Sequence, residues 1–196
     1  ETKTGDSFVL DPKEQDFEIT YQGQEVAVDY VTKEIKNQRQ KVEIEVLKRS
    51  EATKEPLAGV SFGLYAGEDL LNAAGEIVVK KDELVAVGKT DEEGKLKYQD
   101  TIPHGKYYLK ELENLPGYLP FEEKIEIDAS YTDPKLEVIS IQKEVENQPT
   151  KVEITKTDIT GEKEVEGAKL QILDKEGDVV EEWTSTKEPH LIYALK

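Results

Sequence analysis

The sequence predicts an all-β chain built of tandem β-sandwich domains, one complete and two partial. Three observations point there. Apolar and polar residues alternate over short runs, the period of a half-buried strand. Clusters of turn-forming residues separate those runs. One stretch also recurs: "NQRQKVEI" begins at Asn37 and "NQPTKVEI" at Asn147, 110 residues apart.

The repeat extends in both directions. "KEPLAGVSFGLY" (Lys54 to Tyr65) answers to "KEVEGAKLQILD" (Lys163 to Asp174), now offset by 108 to 109. "ETKTGDSFVLDPKEQDFEI" from Glu1 is a weaker echo of the stretch from Tyr107 to Asp128, with Glu1 and Glu111 again 110 apart. A lag of domain size means tandem domains rather than a solenoid. Residues 1–40 are expected to be the rear of a preceding domain, 41–149 a complete one, and 150–196 the front of a following one. The joints "NQRQ" and "NQPT" are too short to be flexible, so neighbouring domains should form a stiff rod.

In chain order, "KVEIEVLK" puts Val42, Ile44 and Val46 on one face and Glu43 and Glu45 on the other. "VSFGLY" aligns Val60, Phe62 and Leu64. "EDLLNAAGEI" (Glu68 to Ile77) fits a helical turn or a hairpin loop. "DEEGK", "IPHGK", "LPGY" and "YTDPK" carry turn chemistry, and "GKYYLKE", "EKIEID" and "LEVISIQKEVEN" are further strands. Trp183 in "EEWTS" is expected on a sheet face.

Composition narrows the function. Hydrophobic residues are 36% and charged residues 35%, a soluble chain with a lean core. A net charge of −17 argues against nucleic acid and anionic membrane as partners. No stretch approaches the ~20 apolar residues of a membrane span, and no signal-peptide pattern is seen. There is no Met, not even at position 1, so a processed or excised piece of something longer is expected. Cysteine is absent, which excludes disulfides and thiolate metal sites. An extracellular chain of this leanness needs some other tie.

Strand parity supplies a candidate. The phase of Val42, Ile44 and Val46 continues to Lys48; Val152 and Ile154 lead likewise to Lys156. Tyr107 and Leu109 lead to Glu111. Ile139, Ile141 and Val145 lead to Asn147. A Lys, a Glu and an Asn are thus expected to face inward, although burying such groups unpaired costs several kcal/mol each. In one reading all three sit at strand ends and snorkel to water. In the other they react. A desolvated Lys loses its proton and becomes a nucleophile. A buried carboxyl, kept protonated, donates a hydrogen bond to the Asn carbonyl and carries protons to the departing ammonia. The product is a Lys–Asn isopeptide bond, formed once by the fold on itself.

The order "VEIEVLK…PLAGVSFGLY…GKYYLKELENLPGY…VEN" resembles the CnaB-type (prealbumin-like, Ig-like) domains of Gram-positive surface adhesins and pilins. The resemblance covers all of 41–149 and parts of both flanks. It implies Lys48 as nucleophile, Glu111 as acid/base and Asn147 as acceptor. Glu1, Asn37 and Lys156 are the flanking equivalents. Ser50 stands where the family often has Asp, whereas Lys156 is followed by Asp158. "KVEIEVLK" also reaches its Lys two residues later than "KVEITK". First and last strands are implied neighbours, so a pull on the termini falls on the bond.

The expected function is therefore a structural stalk of a cell-wall-attached adhesin or pilin, extracellular, with no cofactor and no external substrate. Its partners are expected to be neighbouring domains, or the complementary fragment of another copy packed head to tail. The alternative is a module that binds a host matrix ligand, which would need an exposed apolar patch or groove. His104 and His190, each expected in a turn, are not expected to ligate a metal. The "DEEG" cluster lacks the spacing of a calcium loop. No phosphate loop, zinc signature or nucleophile elbow is present. "LPGY" at Leu115 is a turn, not a sorting signal.

Overall fold

The computed structural model describes residues 1–21, 23–25, 30–72, 74–99, 102–161 and 164–195. No helix occurs among them. The strands are β1 (Lys41–Ser50), β2 (Ser61–Ala66), β3 (Leu70–Leu71), β4 (Ile77–Val79), β5 (Leu84–Lys89), β6 (Lys95–Tyr98), β7 (Gly105–Glu113), β8 (Ile125–Ala129), β9 (Val138–Asn147), β10 (Lys151–Ile154), β11 (Lys169–Leu173), β12 (Val179–Thr184) and β13 (His190–Tyr193).

Seven of the first nine build a sandwich, and β3 and β4 form a hairpin of their own. One sheet has the order β6-β1-β9 and the other β5-β2-β7-β8. Alternation along each strand decides what lies between them. Val42, Ile44, Val46, Leu96, Tyr98 and Val145 come from the first sheet. Phe62, Leu64, Ala66, Tyr107, Leu109, Ile127 and Ala129 come from the second. Their burial is the main driving force for the fold. Tyr98 keeps its hydroxyl satisfied inside by donating 2.9 Å to the carbonyl of Phe62, across to the other sheet. Glu68 to Ile77 resolves as a hairpin: β3 pairs antiparallel with β4, and Asn72 Oδ1 accepts from the N–H groups of Ala74 and Glu76. Ala73 lies outside the described residues.

The strand that opens the sandwich and the one that closes it, β1 and β9, are parallel neighbours. Parallel strands need a long crossover between them, and here everything from β2 to β8 is that crossover. Their register runs without a slip from Lys41↔Val138 to Ser50↔Asn147.

The flanks repeat pieces of this pattern. β13 pairs antiparallel with β10, as β6 does with β1. β12 pairs antiparallel with β11, as β5 does with β2. At the joint near Pro149, Tyr118 bridges Pro149, Leu119 N donates to Gln148 O, and Thr150 N donates to Gly117 O. At the joint near Arg39, Phe8 bridges Arg39, Val9 N donates to Gln38 O, and Gln40 N donates to Ser7 O. Each contact recurs at the same lag that separates Asn37 from Asn147.

Candidate functional site

Lys48 owes its position to an unbroken strand. Because β1 never slips against β9, the inward phase of Val42, Ile44 and Val46 carries on to Lys48 and Ser50, all buried. The two extra residues of "KVEIEVLK" relative to "KVEITK" are an even number and leave the inward face unchanged. Backbone contacts hold Lys48 on both sides: its N–H donates 2.7 Å to Gly94 O, and its carbonyl accepts from Leu57 N at 2.9 Å. Gly94 has φ +72°, and a Cβ there would sit 2.4 Å from Lys48 O. Glycine is required at that turn for both reasons.

Glu111 comes from the opposite sheet. Tyr107, Leu109 and Glu111 share the inward face of β7, with Leu109 opposite Leu64 and Glu111 opposite Phe62 on β2. The one slip between these strands falls between Ser61 and Phe62, beyond Glu111, so it does not turn the carboxylate outward. Asn147 ends β9 and is 1% exposed.

The three side chains meet in the interior. Lys48 Nζ donates to Asn147 Oδ1. Asn147 Nδ2 donates to Glu111 Oε1 at 2.9 Å and Oε2 at 3.0 Å. Lys48 Nζ is 3.7 Å from Glu111 Oε2, with side-chain exposures of 0% and 3%. The Phe121 ring covers the amine, its centroid 5.7 Å from Nζ. Snorkelling to water does not describe these groups.

One expected detail is reversed. Parity and chemistry led to a Glu111 carboxyl donating to the Asn147 carbonyl, but the amide nitrogen faces Glu111 and the carbonyl oxygen faces Lys48. The reason lies in donor and acceptor supply. The lysine amine offers donors and takes the amide oxygen, and the carboxyl oxygens of Glu111 accept from the amide N–H groups. A half-turn of the amide exchanges the two ends.

Burial is the largest influence on both ionisable groups. It pushes Lys48 down from 10.5 to about 8, against the opposing attraction of Glu111. It pushes Glu111 above the usual carboxylate range, against the Asn147 hydrogen bond and the Lys48 charge. Both shifts favour a neutral amine beside a neutral acid.

Thr90 is a supporting residue that the sequence analysis missed. Its hydroxyl accepts from Val60 N at 3.0 Å and donates to Leu57 O at 2.7 Å. Leu57 N in turn holds the Lys48 carbonyl, so Thr90 braces the loop behind the amine. Ser185 repeats the arrangement: its hydroxyl accepts from Ala168 N at 2.9 Å and donates to Val165 O at 2.5 Å. Val165 N donates to the Lys156 carbonyl at 2.6 Å. A hydroxyl residue just after the second hairpin strand of each copy was the available signal.

The flanking candidates are not gathered into a second triad. Asn37 Nδ2 donates to Glu1 Oε2 at 2.7 Å and to Thr4 Oγ1 at 2.8 Å. Lys156 Nζ donates to Thr157 O at 3.3 Å. The structure thus brings Glu1 to Asn37 but leaves Lys156 elsewhere.

His190 departs from the expected turn. It opens β13 and stacks on Trp183, ring centroids 4.4 Å apart, with Nε2 3.2 Å from Glu181 Oε1. Its place in the strand comes from pairing with Ile154 of β10. His104 Nε2 lies 3.1 Å from Gln40 Oε1. Among the described residues, no three His, Asp or Glu side chains gather as they would around a metal ion. A groove of about 880 Å³ lies away from the triad, lined in part by Leu71, Val78, Leu84, Val85 and His104. A smaller cleft of about 310 Å³ has Glu111 and Phe121 in its wall.

Comparison with known proteins places the fold. The family model of SpaA, a prealbumin-like fold domain, matches residues 42–144 and 150–192. No curated protein matches the chain. The solved Bacillus anthracis TIE protein is similar over 97% of this chain and 32% of its own, at 24% identity and a TM-score of 0.57. BcpA, the major pilin subunit of Bacillus cereus, is 21% identical over 60% of this chain and 31% of its own, with a TM-score of 0.40. GBS52, the minor pilin of Streptococcus agalactiae, is 23% identical over 57% of this chain and 45% of its own, with a TM-score of 0.40. The chain spans less than half the length of each, and the likeness to the TIE protein is one of fold.

Proposed function

Since the chain belongs to the SpaA family of prealbumin-like fold domains, the CnaB-type resemblance legible in its sequence, we propose that it is a stalk segment of a Gram-positive surface adhesin or pilin, tied by a self-formed isopeptide bond between Lys48 and Asn147. The bond-forming unit is 41–149, flanked by the rear of one domain (1–40) and the front of another (150–196). The segment works outside the cell, at the wall, and its ordinary partners are the neighbouring domains of the same surface protein or pilus.

The observation that carries this reading is the dry meeting of Lys48, Glu111 and Asn147. The chemistry runs within that group. The Lys48 ammonium passes a proton to Glu111, which leaves a neutral amine and a neutral acid. Rotation of the amide lets the acid hydrogen-bond the carbonyl oxygen. Lys48 Nζ attacks Asn147 Cγ, and Glu111 returns protons from the attacking nitrogen to Nδ2. The Cγ–Nδ2 bond breaks, ammonia leaves, and the cleft beside Glu111 and Phe121 offers it a way out. Two buried polar groups become one neutral amide. Each chain reacts once, so the process is maturation rather than enzyme turnover.

Intact-mass spectrometry tests the proposal. The mature chain is expected to weigh one ammonia less than its formula for the central bond. Glu111→Ala is expected to regain that mass. A wild-type chain at full formula mass would end the reading.

A second reading is favoured by the groove near Leu84 and Val78: a module that takes a host matrix ligand there. Immobilised chain would then retain a soluble matrix protein and lose it on Leu84→Lys. Equal retention by both would sink it.

A further inference from the structure

The loop that leaves β7 roofs the triad. It sets the Phe121 ring over Lys48 Nζ and packs Leu115, Tyr118 and Phe121 against the core. Within the loop, Asn114 Nδ2 donates to Tyr118 O at 2.6 Å and Tyr118 N donates to Leu115 O at 3.1 Å. Other ties run to residues that follow Asn147. Leu119 N donates to Gln148 O at 2.9 Å, and Tyr118 bridges Pro149. Gly117 O accepts twice from Thr150, from its N–H at 2.8 Å and its hydroxyl at 2.9 Å.

These residues belong to the next unit as much as to the sandwich. Thr150 leads directly into β10, and its carbonyl accepts from Ala194 N at 2.9 Å, just past β13. Ala194 also lies flat on the loop: a Cβ at Gly117 would sit 2.6 Å from Ala194 O. Gly117 has φ +83°, so both its conformation and this close approach call for glycine. The paired strands β10 and β13 thus grip the roof of the preceding sandwich at Gly117. Four residues further along the loop, Phe121 shields the amine, whose burial is the largest influence on Lys48.

We propose that this clasp positions the roof, so that linking in the sandwich waits for the following unit to fold onto the 114–121 loop. Gly117 and Thr150 are then positioning residues, acting through Phe121, in a step that rests on the linking chemistry proposed above. With the clasp open, the loop lifts and water reaches Lys48 and Glu111. Hydration restores the ammonium and the carboxylate, and the pair of neutral groups that reacts becomes scarce. In a tandem array each sandwich would therefore lock only after its downstream neighbour has docked, which orders maturation along the chain.

The test follows intact mass during refolding. The full chain is collected from inclusion bodies in urea, where it has not folded and starts unlinked, and is diluted into buffers from acid to alkaline. Gly117→Ala is expected to lose its ammonia about 100-fold more slowly than wild type, the scale of a misplacement of 1 Å. Thr150→Val, which removes one hydrogen bond and keeps the side-chain shape, should slow in the same direction by less. It decides the matter if circular dichroism shows that Gly117→Ala does not fold. Gln40→Ala is the control. It loosens the other joint, where Gln40 Nε2 donates to Asp133 O and Leu136 O before β9 begins, and it should link as wild type does.

The pH profile separates positioning from simple destabilisation. The reactive form has a proton on Glu111 and none on Lys48, so the rate falls on either side of a maximum. In wild type the alkaline fall is expected near 8, and in both clasp variants it should move up toward 10.5 as the amine is hydrated. Clasp variants that link at the wild-type rate, or that slow with an unmoved alkaline limb, would overturn the inference and leave the stalk reading intact. Slowing of Gln40→Ala to the same degree would also overturn it. A wild-type chain that never loses ammonia would overturn both.

Discussion

Lys48 Nζ lies 3.7 Å from Glu111 Oε2, with both side chains shut away from solvent. On a surface such a pair would be an ordinary salt bridge. In a dry interior, desolvation opposes both charges, and Asn147 stands between them as the one group able to react with the neutral forms.

Glu111→Gln keeps the size of the side chain and can still hydrogen-bond the amide, but it cannot carry a proton. Linking is expected to slow by roughly 100-fold or more, the usual contribution of general acid–base help. Mass spectra of freshly made protein, followed over time, read the rate. Linking at the wild-type rate would remove Glu111 from the mechanism.

Asn147→Ala keeps Lys48 buried and cannot link. The folded Lys48 value is lowered, so between about 8 and 10.5 the unfolded chain binds more protons, and stability rises with pH across that window. The whole rise is about 3 kcal/mol at most. Glu111 acts in the opposite sense. Its folded value is raised, so its contribution is complete below the ordinary 4.5 and fades as pH climbs through the raised value. Urea midpoints of Asn147→Ala should increase above pH 8, and those of the Lys48→Met, Asn147→Ala double variant should not. Parallel curves for the two would refute the buried-amine description.

The bond would close a loop between residues 99 apart. By analogy with a disulfide, closing a loop of about 100 residues contributes roughly 4.7 kcal/mol through chain entropy. Asn147→Ala should therefore melt about 20 °C below wild type, and a reducing agent should not move the wild-type melting point. Equal melting temperatures would mean that no tie is present.

Thr90→Val removes the hydroxyl that joins Val60 N–H to Leu57 O. Leaving these buried groups without it should cost roughly 1–3 kcal/mol, and Thr90→Ser should restore most of the loss. Denaturant unfolding of the three proteins decides the matter. If Thr90→Val were as stable as wild type, the brace would be incidental.

Some of this was legible in the sequence, for physical reasons. Lys48 and Asn147 could be assigned to the interior because β1 and β9 pair without a slip, so counting by twos from Val42 and from Ile139 never loses phase. Glu111 survived a slip between β2 and β7 only because that slip falls past it. Local pattern cannot reveal contacts between distant segments. Thr90, just past β5, gives no local sign that it will reach Leu57, and only comparison with Ser185 exposes it. The orientation of the Asn147 amide was equally hidden, because both ends of that group satisfy the same parity. His190 was misplaced because "EPHL" looks like a turn until the distant Ile154 is paired with it.

The parallel pairing of β1 with β9 has a further consequence once Lys48 and Asn147 are joined. Covalent continuity then runs from residue 48 across to residue 147, and residues 49–146 become a side branch. A protease that nicks the exposed turn at Ala74–Glu76, or an insertion accepted there, would alter the branch without severing the molecule from end to end. Loops of this unit are therefore free to diverge in a way that its first and last strands are not.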